Sequence, residues 1–269
     1  MPAPPLVRDR PIPGQAPTHL GWLAGLGLAA VTLWLCLRLY AAILLRRGRL
    51  DLPAFTAALR LAGLSMLPAM TLVALSVGLI LGHQGAQLLA NLNLPSLFLL
   101  SFVYAIVMEI IPVLVGILVA GRAGVALAVQ HSTLTVSGQN DGLLVQGINP
   151  IEYTTAPMLL AMLAMSFAFL VWGSLISVSA TFVWLILFAG LPPALFAESL
   201  RAALGPDDLL QALAKPLVFA LVIALIATVN GVAAGRDGTG IARAATGTMI
   251  GAVTAILLID LAFVLWPSR

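Results

Sequence analysis

Charged residues are scarce in this chain of 269 residues: Asp, Glu, Lys and Arg together make up 9% of it, whereas 61% of the residues are apolar. Soluble globular domains usually carry about 25% charged residues. That balance excludes a water-soluble domain. The length leaves room for five or six spans of about 20 residues within one integral membrane unit.

Cysteine and histidine are also scarce. The single Cys36 has no partner for a disulfide, and His19, His83 and His131 are too widely spaced to indicate a metal site. The sequence has no G-x-x-x-x-G-K-[ST] loop, in which backbone amides and a lysine hold nucleotide phosphates. We therefore predict no catalytic residues, no metal and no bound cofactor, and any energy for transport must come from a partner or a gradient.

Long apolar runs dominate what is present. Residues 20–269 are predicted to form a single transmembrane domain, all-α, with about five membrane-spanning helices after a flexible cytoplasmic tail at residues 1–19. The run at 20–45 has basic residues at both ends and contains Arg38, so an interfacial or re-entrant helix is favoured over a crossing, which stays open. The predicted spans lie near residues 64–89, 94–121, 158–188, 209–234 and 245–266.

The positions of the arginines predict the topology. With residues 46–60 inside, the connections at 121–157 and 235–244 are cytoplasmic and the C-terminus lies outside. The run at 158–188 is too long for one perpendicular crossing and must tilt or extend beyond the membrane. Gly190, Pro192 and Pro193 are expected to end it, before a partly helical extracytoplasmic segment.

Glu109 stands in an uncharged apolar run, where a carboxylate costs at least a few kcal/mol. It either lines a cavity that receives a lipid headgroup or is a carboxyl neutralised by burial. Asp260, deep in the last span, is interpreted as a polar tie to a residue such as Asn230, with a substrate role as the alternative. A cavity at Glu109 would be walled by residues one turn away and by one face of the preceding span: Ala105, Val113, Val77, Ile80, Leu81 and Gln84.

Several motifs resemble those of the MlaE/YrbE permeases of bacterial lipid ABC transporters, which pair with MCE-domain proteins. The residues that carry this resemblance are M-E-I-I-P at 108–112, L-V-A-G-R-A-G at 118–124, G-I-N-P-I at 147–151, L-G-H-Q-G at 81–85, Lys215 with Val218 and Phe219, and G-I-A-R-A-A-T at 240–246 leading to Asp260. They extend in order over residues 61–267. Structural roles are assigned to Pro112, Lys215 and Asp260, and also to Arg122 and Arg243. These two arginines flank the cytoplasmic ends of spans and either reach lipid phosphates or form salt bridges with the ATPase.

The resemblance is weakest in the cytoplasmic connection, where the family presents a short helix to its ATPase. Gln130 and Gly138 replace two family glutamates, and Gly138 and Gly142 are expected to weaken that helix. The residues assigned to ATPase coupling are Gln130, Ser137, Gly138, Gln139, Asp141 and Leu143.

The resemblance implies a permease subunit in the bacterial inner membrane that moves phospholipid or a similar amphiphile. Its implied partners are an ABC ATPase that binds ATP and Mg²⁺, a second permease subunit in a homo- or heterodimer, an MCE-type periplasmic carrier and membrane lipid. Nucleic acid is not expected. The alternatives are a gradient-driven carrier that uses Glu109 and Asp260 as proton groups, an intramembrane enzyme and a non-transporting scaffold.

Overall fold

The structure, a computed structural model, describes residues 21–46, 51–89, 95–203, 205–235 and 238–265. These residues form helices and no strands, which confirms the predicted all-α fold. The predicted tail at 1–19 lies outside the described residues. The helices are α1 (Gly21–Leu44), α2 (Leu52–Ala62), α3 (Leu67–Leu89), α4 (Pro95–Ala105), α5 (Ile111–Val119), α6 (Val125–Val136), α7 (Gln139–Val145), α8 (Pro150–Ala189), α9 (Pro193–Ala203), α10 (Pro206–Val232) and α11 (Gly238–Leu265).

Six helical stretches among the described residues are long and apolar enough to cross a membrane, and five of them alternate in direction. These five are α2–α3, α4–α6, α8, α10 and α11. Two contacts at different heights in each pair fix the directions, and the bundle therefore has the arrangement that five successive crossings require. The stretch α2–α3 is parallel to α8, because Gly63 lies by Met165 and Gly82 lies by Trp184. The stretch α4–α6 is antiparallel to α8 (Ile111 by Gly173, His131 by Thr155) and parallel to α10 (Gly116 by Phe219, His131 by Gly231). α10 is antiparallel to α11, because Asn230 lies by Thr248 and Lys215 lies by Asp260.

The sixth stretch, α1, lies across the bundle. Gly25 lies against Val229 of α10, and the Tyr40 hydroxyl donates to the carbonyl oxygen of Ala156 on α8 at 2.7 Å. The residues just before these two contact points, Thr155 and Thr228, are hydrogen bonded to each other at 3.0 Å. The two contact points therefore lie at the same level along the bundle axis, although Gly25 and Tyr40 are 15 helical residues, about 22 Å, apart. This agrees with the predicted interfacial or re-entrant helix, although α1 is also long and apolar enough to span.

The long apolar run predicted at 158–188 lies within α8, a helix of 40 residues. Asn149 caps its N-terminus by accepting a hydrogen bond from the Ile151 amide at 3.0 Å. Its C-terminus is at Ala189, followed by Gly190 in the left-handed conformation, φ 63°, as the sequence predicted. At 1.5 Å per residue α8 is about 60 Å long, twice the hydrocarbon thickness. It therefore extends well beyond one membrane surface or is strongly tilted.

The segment after α8 is helical, as expected, and packs back onto the bundle. Phe196 and Ala203 of α9 are buried against Leu99 and Val103 of α4 and Leu185 of α8. We call this the α9 end of the bundle. The other end, where α6 finishes, α7 lies and α8 begins, is called the α7 end.

The predicted cytoplasmic loop at 121–157 is wrong in its first half, because the helix that carries Glu109 continues through it to Val136. Two π-helical turns, Ile106–Ile110 and Ala120–Gly124, interrupt this helix without ending it. Glycine lowers helix propensity, but here it allows close packing: a Cβ on Gly124 would lie 2.6 Å from Cγ2 of Ile223 on α10. Tertiary packing therefore overrides the local signal.

Candidate functional site

Three ionisable side chains from three spans meet inside the bundle. Lys215 Nζ of α10 lies 2.8 Å from Glu109 Oε2, in the first π-helical turn, and 3.0 Å from Asp260 Oδ1 on α11. The lysine side chain is fully buried, while 35% of the Glu109 side chain and 17% of the Asp260 side chain remain exposed. One buried cation thus pairs with two carboxylates from different helices, and we call this set the ion triad.

The Met108 carbonyl oxygen is the third partner of Lys215, and Pro112 is the reason that it is free to accept. A proline has no N–H, so the carbonyl four residues earlier, that of Met108, has no α-helical donor. In lipid such an unsatisfied carbonyl costs several kcal/mol. Lys215 Nζ donates to Met108 O at 2.8 Å and satisfies it. The proline and the lysine therefore act together in positioning Glu109.

The ion triad revises one interpretation and adds to another. Asp260 is a polar tie between helices, but its partner is Lys215, whereas Asn230 donates to Thr248 Oγ1 at 3.2 Å. Glu109 is ion-paired, not a carboxyl bonded only to backbone. The pairing was missed because Lys215 was read only as a landmark at the start of a span. The available signal was opposite charge: a lysine lies in one predicted span and a carboxylate in each of two others, and charged side chains inside a membrane pair with one another.

An apolar cleft of about 630 Å³ begins beside the ion triad. Its inner wall includes Val107, two residues before Glu109, and Ala212 and Leu213, just before Lys215. Its other walls come from α8 and α9, and among the described lining residues the polar ones are Ser174 and Ser179. The volume lies in the range of roughly 300–1,000 Å³ that is typical of small-ligand pockets. Such a surface suits an acyl chain better than a polar solute.

The predicted cavity wall is not part of this cleft. Val77 and Leu81 of α3 are half-buried, whereas Ile80 and Gln84 are exposed, Ile80 at 55%. Ala105 and Val113 are half-buried, and Val113 packs against the main core. That Ile80 and Gln84 enclose a cavity with Glu109 stays a prediction, and it requires a second surface outside this chain.

The predicted coupling residues lie at the α7 end. Gln130 is exposed on α6, Ser137 ends that helix, and Gln139, Asp141 and Leu143 lie on α7. Of these, Leu143 is half-buried and the others are exposed. The expected weakening by glycine is wrong for Gly138, which lies before α7 in the left-handed conformation, φ 69°, where glycine is favoured. Gly142 is within α7, and the helix forms despite it.

Gly138 and Gly142 give a matched pair of substitutions. Gly138→Ala should destabilise the turn by about 1 kcal/mol, because a Cβ disfavours positive φ. Gly142→Ala should stabilise α7 by up to about 1 kcal/mol, because alanine is the better helix former and the site is open. Thermal unfolding of the purified chain in detergent measures both. Equal shifts in the same direction would contradict the assigned roles.

Sequence reasoning missed a buried polar cluster just above α7. His131 Nε2 lies 2.8 Å from Thr155 Oγ1 and 2.9 Å from Thr154 Oγ1, and Thr155 is hydrogen bonded to Thr228 at 3.0 Å. All four residues are buried. The cluster ties α6, α8 and α10 together. It was missed because His131 was assigned to a solvated loop.

The two arginines that were assigned structural roles, Arg122 and Arg243, are exposed. Arg243 Nη2 of α11 donates to Thr239 Oγ1 at 3.3 Å. Arg122 lies in the second π-helical turn at the edge of a separate cleft. Neither belongs to the ion triad, and both lie toward the α7 end.

Comparison with known proteins gives consistent similarities. The family described as Permease MlaE matches residues 55–266. A probable ABC transporter permease protein of Rickettsia prowazekii is 26% identical over 196 residues, which cover 73% of this chain and 76% of the relative. The probable ABC transporter permease protein ycf63 of Porphyra purpurea is 26% identical over 211 residues, 77% of this chain and 78% of the relative.

A chloroplast protein is also similar. The protein TRIGALACTOSYLDIACYLGLYCEROL 1 of Arabidopsis thaliana is 31% identical over 153 residues, which cover 56% of this chain and 43% of that protein. Relatives therefore occur in bacteria and in chloroplasts.

Proposed function

Because this chain belongs to the MlaE permease family, whose members are transport subunits rather than enzymes, we propose that it is the permease subunit of an ABC transporter that moves phospholipid or a similar amphiphile. The observation that carries the substrate class is the apolar cleft beside the ion triad. An amphiphile needs both an apolar surface for its chains and a polar group for its head. The cleft provides the first. We assign the second to the partly exposed Glu109 side chain, which does not line the cleft but follows its wall residue Val107 by two positions.

The energy is proposed to come from an ABC ATPase that binds ATP and Mg²⁺ and docks at the α7 end. α7 has no buried residue, and exposed apolar side chains that water disfavours lie in its last turn and just after it. These are Leu144, Val145 and Ile148, with Val145 89% exposed. A protein surface would cover them. The His131 cluster, which ties α6 to α8 and α10, gives α7 a rigid base from which a push is transmitted to the spans.

A second permease subunit is proposed to complete the polar cavity. This chain leaves part of the predicted cavity at Glu109 uncovered. The uncovered residues are Ile80, Gln84 and the exposed part of Glu109. Self-complementary dimers with two-fold symmetry are the commonest solution for such surfaces. Whether the partner is the same chain or a more typical family member is decided by co-purification.

The proposed location is the bacterial inner membrane, with the α7 end in the cytoplasm and the α9 end toward an MCE-type periplasmic carrier. Support comes from the arginines, since Arg60, Arg122 and Arg243 all lie toward the α7 end, as positive-inside topology requires. The apolar cleft beside the ion triad and α9 both lie toward the other end, where a lipid would be transferred to the carrier.

Filling the cleft tests the function. Ser179 is exposed on the cleft wall, so Ser179→Trp adds an aromatic side chain there without enlarging a buried core residue. We expect the purified variant to retain on the order of tenfold less phospholipid, as one lost acyl contact of about 1.4 kcal/mol implies. Lipid mass spectrometry after purification in mild detergent measures this. Ala168→Trp, on an exposed part of α8 outside the cleft lining, is the matched control.

The two variants separate the possible outcomes. Loss of lipid in Ser179→Trp alone supports the cleft as the substrate site. Unchanged lipid in Ser179→Trp, with normal elution on size exclusion, removes the cleft from the proposal.

One observation favours a second candidate, the gradient-driven carrier. The ion triad holds two carboxylates and one amine inside the bundle, which is the composition of a proton-coupled site. In proteoliposomes containing the chain without an ATPase, such a carrier would move lipid in response to an imposed pH gradient. The ABC permease would not.

A further inference from the structure

A second cleft, of about 520 Å³, lies toward the α7 end and away from the ion triad. Arg60 of α2 and Arg122 of the second π-helical turn both line it. Thr56 and Arg60 are one turn apart and share a face of α2, and Ser65 stands just after that helix. Two guanidinium groups and two hydroxyls therefore converge on one concave surface.

The two arginines lack acidic partners within the part of the chain that is described. The cleft lining contains no carboxylate: besides the four polar residues it consists of Ala57 and Leu61. The ion pairs of the described residues involve Arg38 and Lys215 instead. Both Arg60 and Arg122 are exposed, and each fork of N–H donors is available to an anion.

The hydroxyls around the arginines differ in how firmly they are held. Thr56 donates to the carbonyl oxygen of Pro53 at 3.0 Å. Ser65 makes a longer bond to the carbonyl oxygen of Leu61, at 3.4 Å, so its hydroxyl can rotate toward a ligand at little cost. The site thus offers two charged forks and one adaptable neutral donor, which matches a tetrahedral oxyanion.

The surroundings identify the source of that anion. Leu61 lines the cleft, and Leu64 and Leu72, which follow it toward the middle of the bundle, are 53% and 64% exposed. An apolar surface that continues from a basic cleft has the polarity profile of a lipid, with the phosphate above and the acyl chains below. An acidic protein segment would leave those leucines uncovered.

We propose that Arg60 and Arg122 form a binding site for the phosphate of a membrane phospholipid at the α7 end, distinct from the cleft beside the ion triad. The guanidinium groups hold the headgroup phosphate, and the exposed leucines of α2 and α3 contact its acyl chains. The site does not require an ATPase. A phospholipid held there would fix α2 against the helix that carries Glu109.

The test measures lipid affinity of the full chain in detergent by native mass spectrometry. Every chain compared also carries Ser179→Trp, so that phospholipid in the cleft beside the ion triad does not enter the comparison, and wild type here refers to positions 60 and 122. The probes are dioleoylphosphatidylglycerol, dioleoylglycerol, which has the same chains but no phosphate, and inorganic phosphate. We expect the wild type to prefer the phospholipid over dioleoylglycerol on the order of tenfold or more, since each arginine near a membrane contributes to binding of an anionic headgroup. The Arg60→Gln/Arg122→Gln variant should lose that preference. Arg60→Lys/Arg122→Lys keeps the charge without the planar fork and should fall in between.

Arg201→Gln is the matched control, because it removes one exposed arginine from α9 at the other end. It should keep the wild-type preference. Equal phospholipid affinity in the wild type and the double glutamine variant would overturn the proposal. So would inorganic phosphate binding as tightly as the phospholipid, because free phosphate would then be the ligand. Loss of a co-purifying ATPase from the double variant, with lipid affinity unchanged, would overturn it by making the cleft a protein-docking site.

Discussion

Lys215→Met should lower the free energy of unfolding by about 3 kcal/mol or more, because removal of one member of a buried ion pair leaves the others uncompensated. Methionine has a similar length but no charge and no donor. Glu109, Asp260 and the carbonyl oxygen of Met108 would lose their shared partner together. Thermal unfolding in detergent, followed by fluorescence-detected size exclusion, measures the loss.

A variant without any of the three charges isolates the cause. When Glu109→Gln and Asp260→Asn are added to Lys215→Met, the two uncompensated carboxylates disappear, and we expect most of the lost stability to return. Met108 O stays without its donor, so recovery should be incomplete. If Lys215→Met alone unfolds at the wild-type temperature, the ion triad does not hold these three helices together.

Gly78→Leu should also cost about 3 kcal/mol, the upper part of the range for overpacking. A Cβ at Gly78 of α3 would meet the carbonyl oxygen of Ser177 and would lie 2.8 Å from the Ala180 Cβ on α8. Thr181 donates to the Gly78 carbonyl oxygen at 2.9 Å, so the two backbones are also tied together. A larger side chain would force α3 away from α8 and break that bond. The loss appears as a lower unfolding temperature and a lower yield of monodisperse protein.

Gly27→Leu is the control for this prediction. Gly27 is exposed on α1 and has nothing within 4 Å of its Cβ position. Leucine is a better helix former than glycine, so this substitution should be neutral or stabilise by up to about 1 kcal/mol. The opposite signs at Gly78 and Gly27 test the packing directly. Similar effects at both positions would show that helix propensity, not close approach of α3 and α8, governs the response.

The number and direction of the spans could be predicted because lipid restricts the choices. Long apolar runs must be helices, and basic residues fix their ends. The C-terminus of α8 at Ala189 followed from Gly190 and the prolines after it, since these residues have strong local preferences. The basic residues at both ends of α1 indicated that both ends lie at one side of the bundle, because basic residues favour the cytoplasmic side of a membrane.

The extent of the helix after Gly121 could not be read from the sequence. Glycine, serine, threonine and glutamine are usual in loops, and their composition outweighed the continuing helical pattern. In the structure His131 and Ser132 are buried, and Gly124 lies against Ile223 of α10. These residues are helical because of contacts with spans about 100 residues later in the chain, which no local pattern contains.

The sequence identified the residues of the ion triad but not the contacts between them. Glu109, Lys215 and Asp260 were each singled out, yet their pairing depends on the relative rotation of three helices. That rotation follows from the π-helical turn at Ile106–Ile110 and from Pro112, whose effect on the Met108 carbonyl becomes a specific contact only when α10 is in place. The apolar cleft likewise depends on α9 folding back, and no single segment encodes it.

Purification of this chain from its native membrane in mild detergent, with mass spectrometry of the proteins and lipids that accompany it, tests whether it is the permease of a lipid ABC transporter. We expect an ABC ATPase, bound phospholipid and a second permease subunit, with an MCE-domain protein in the most intact preparations. Recovery of the chain without an ATPase and without phospholipid, across several detergents, would contradict this function.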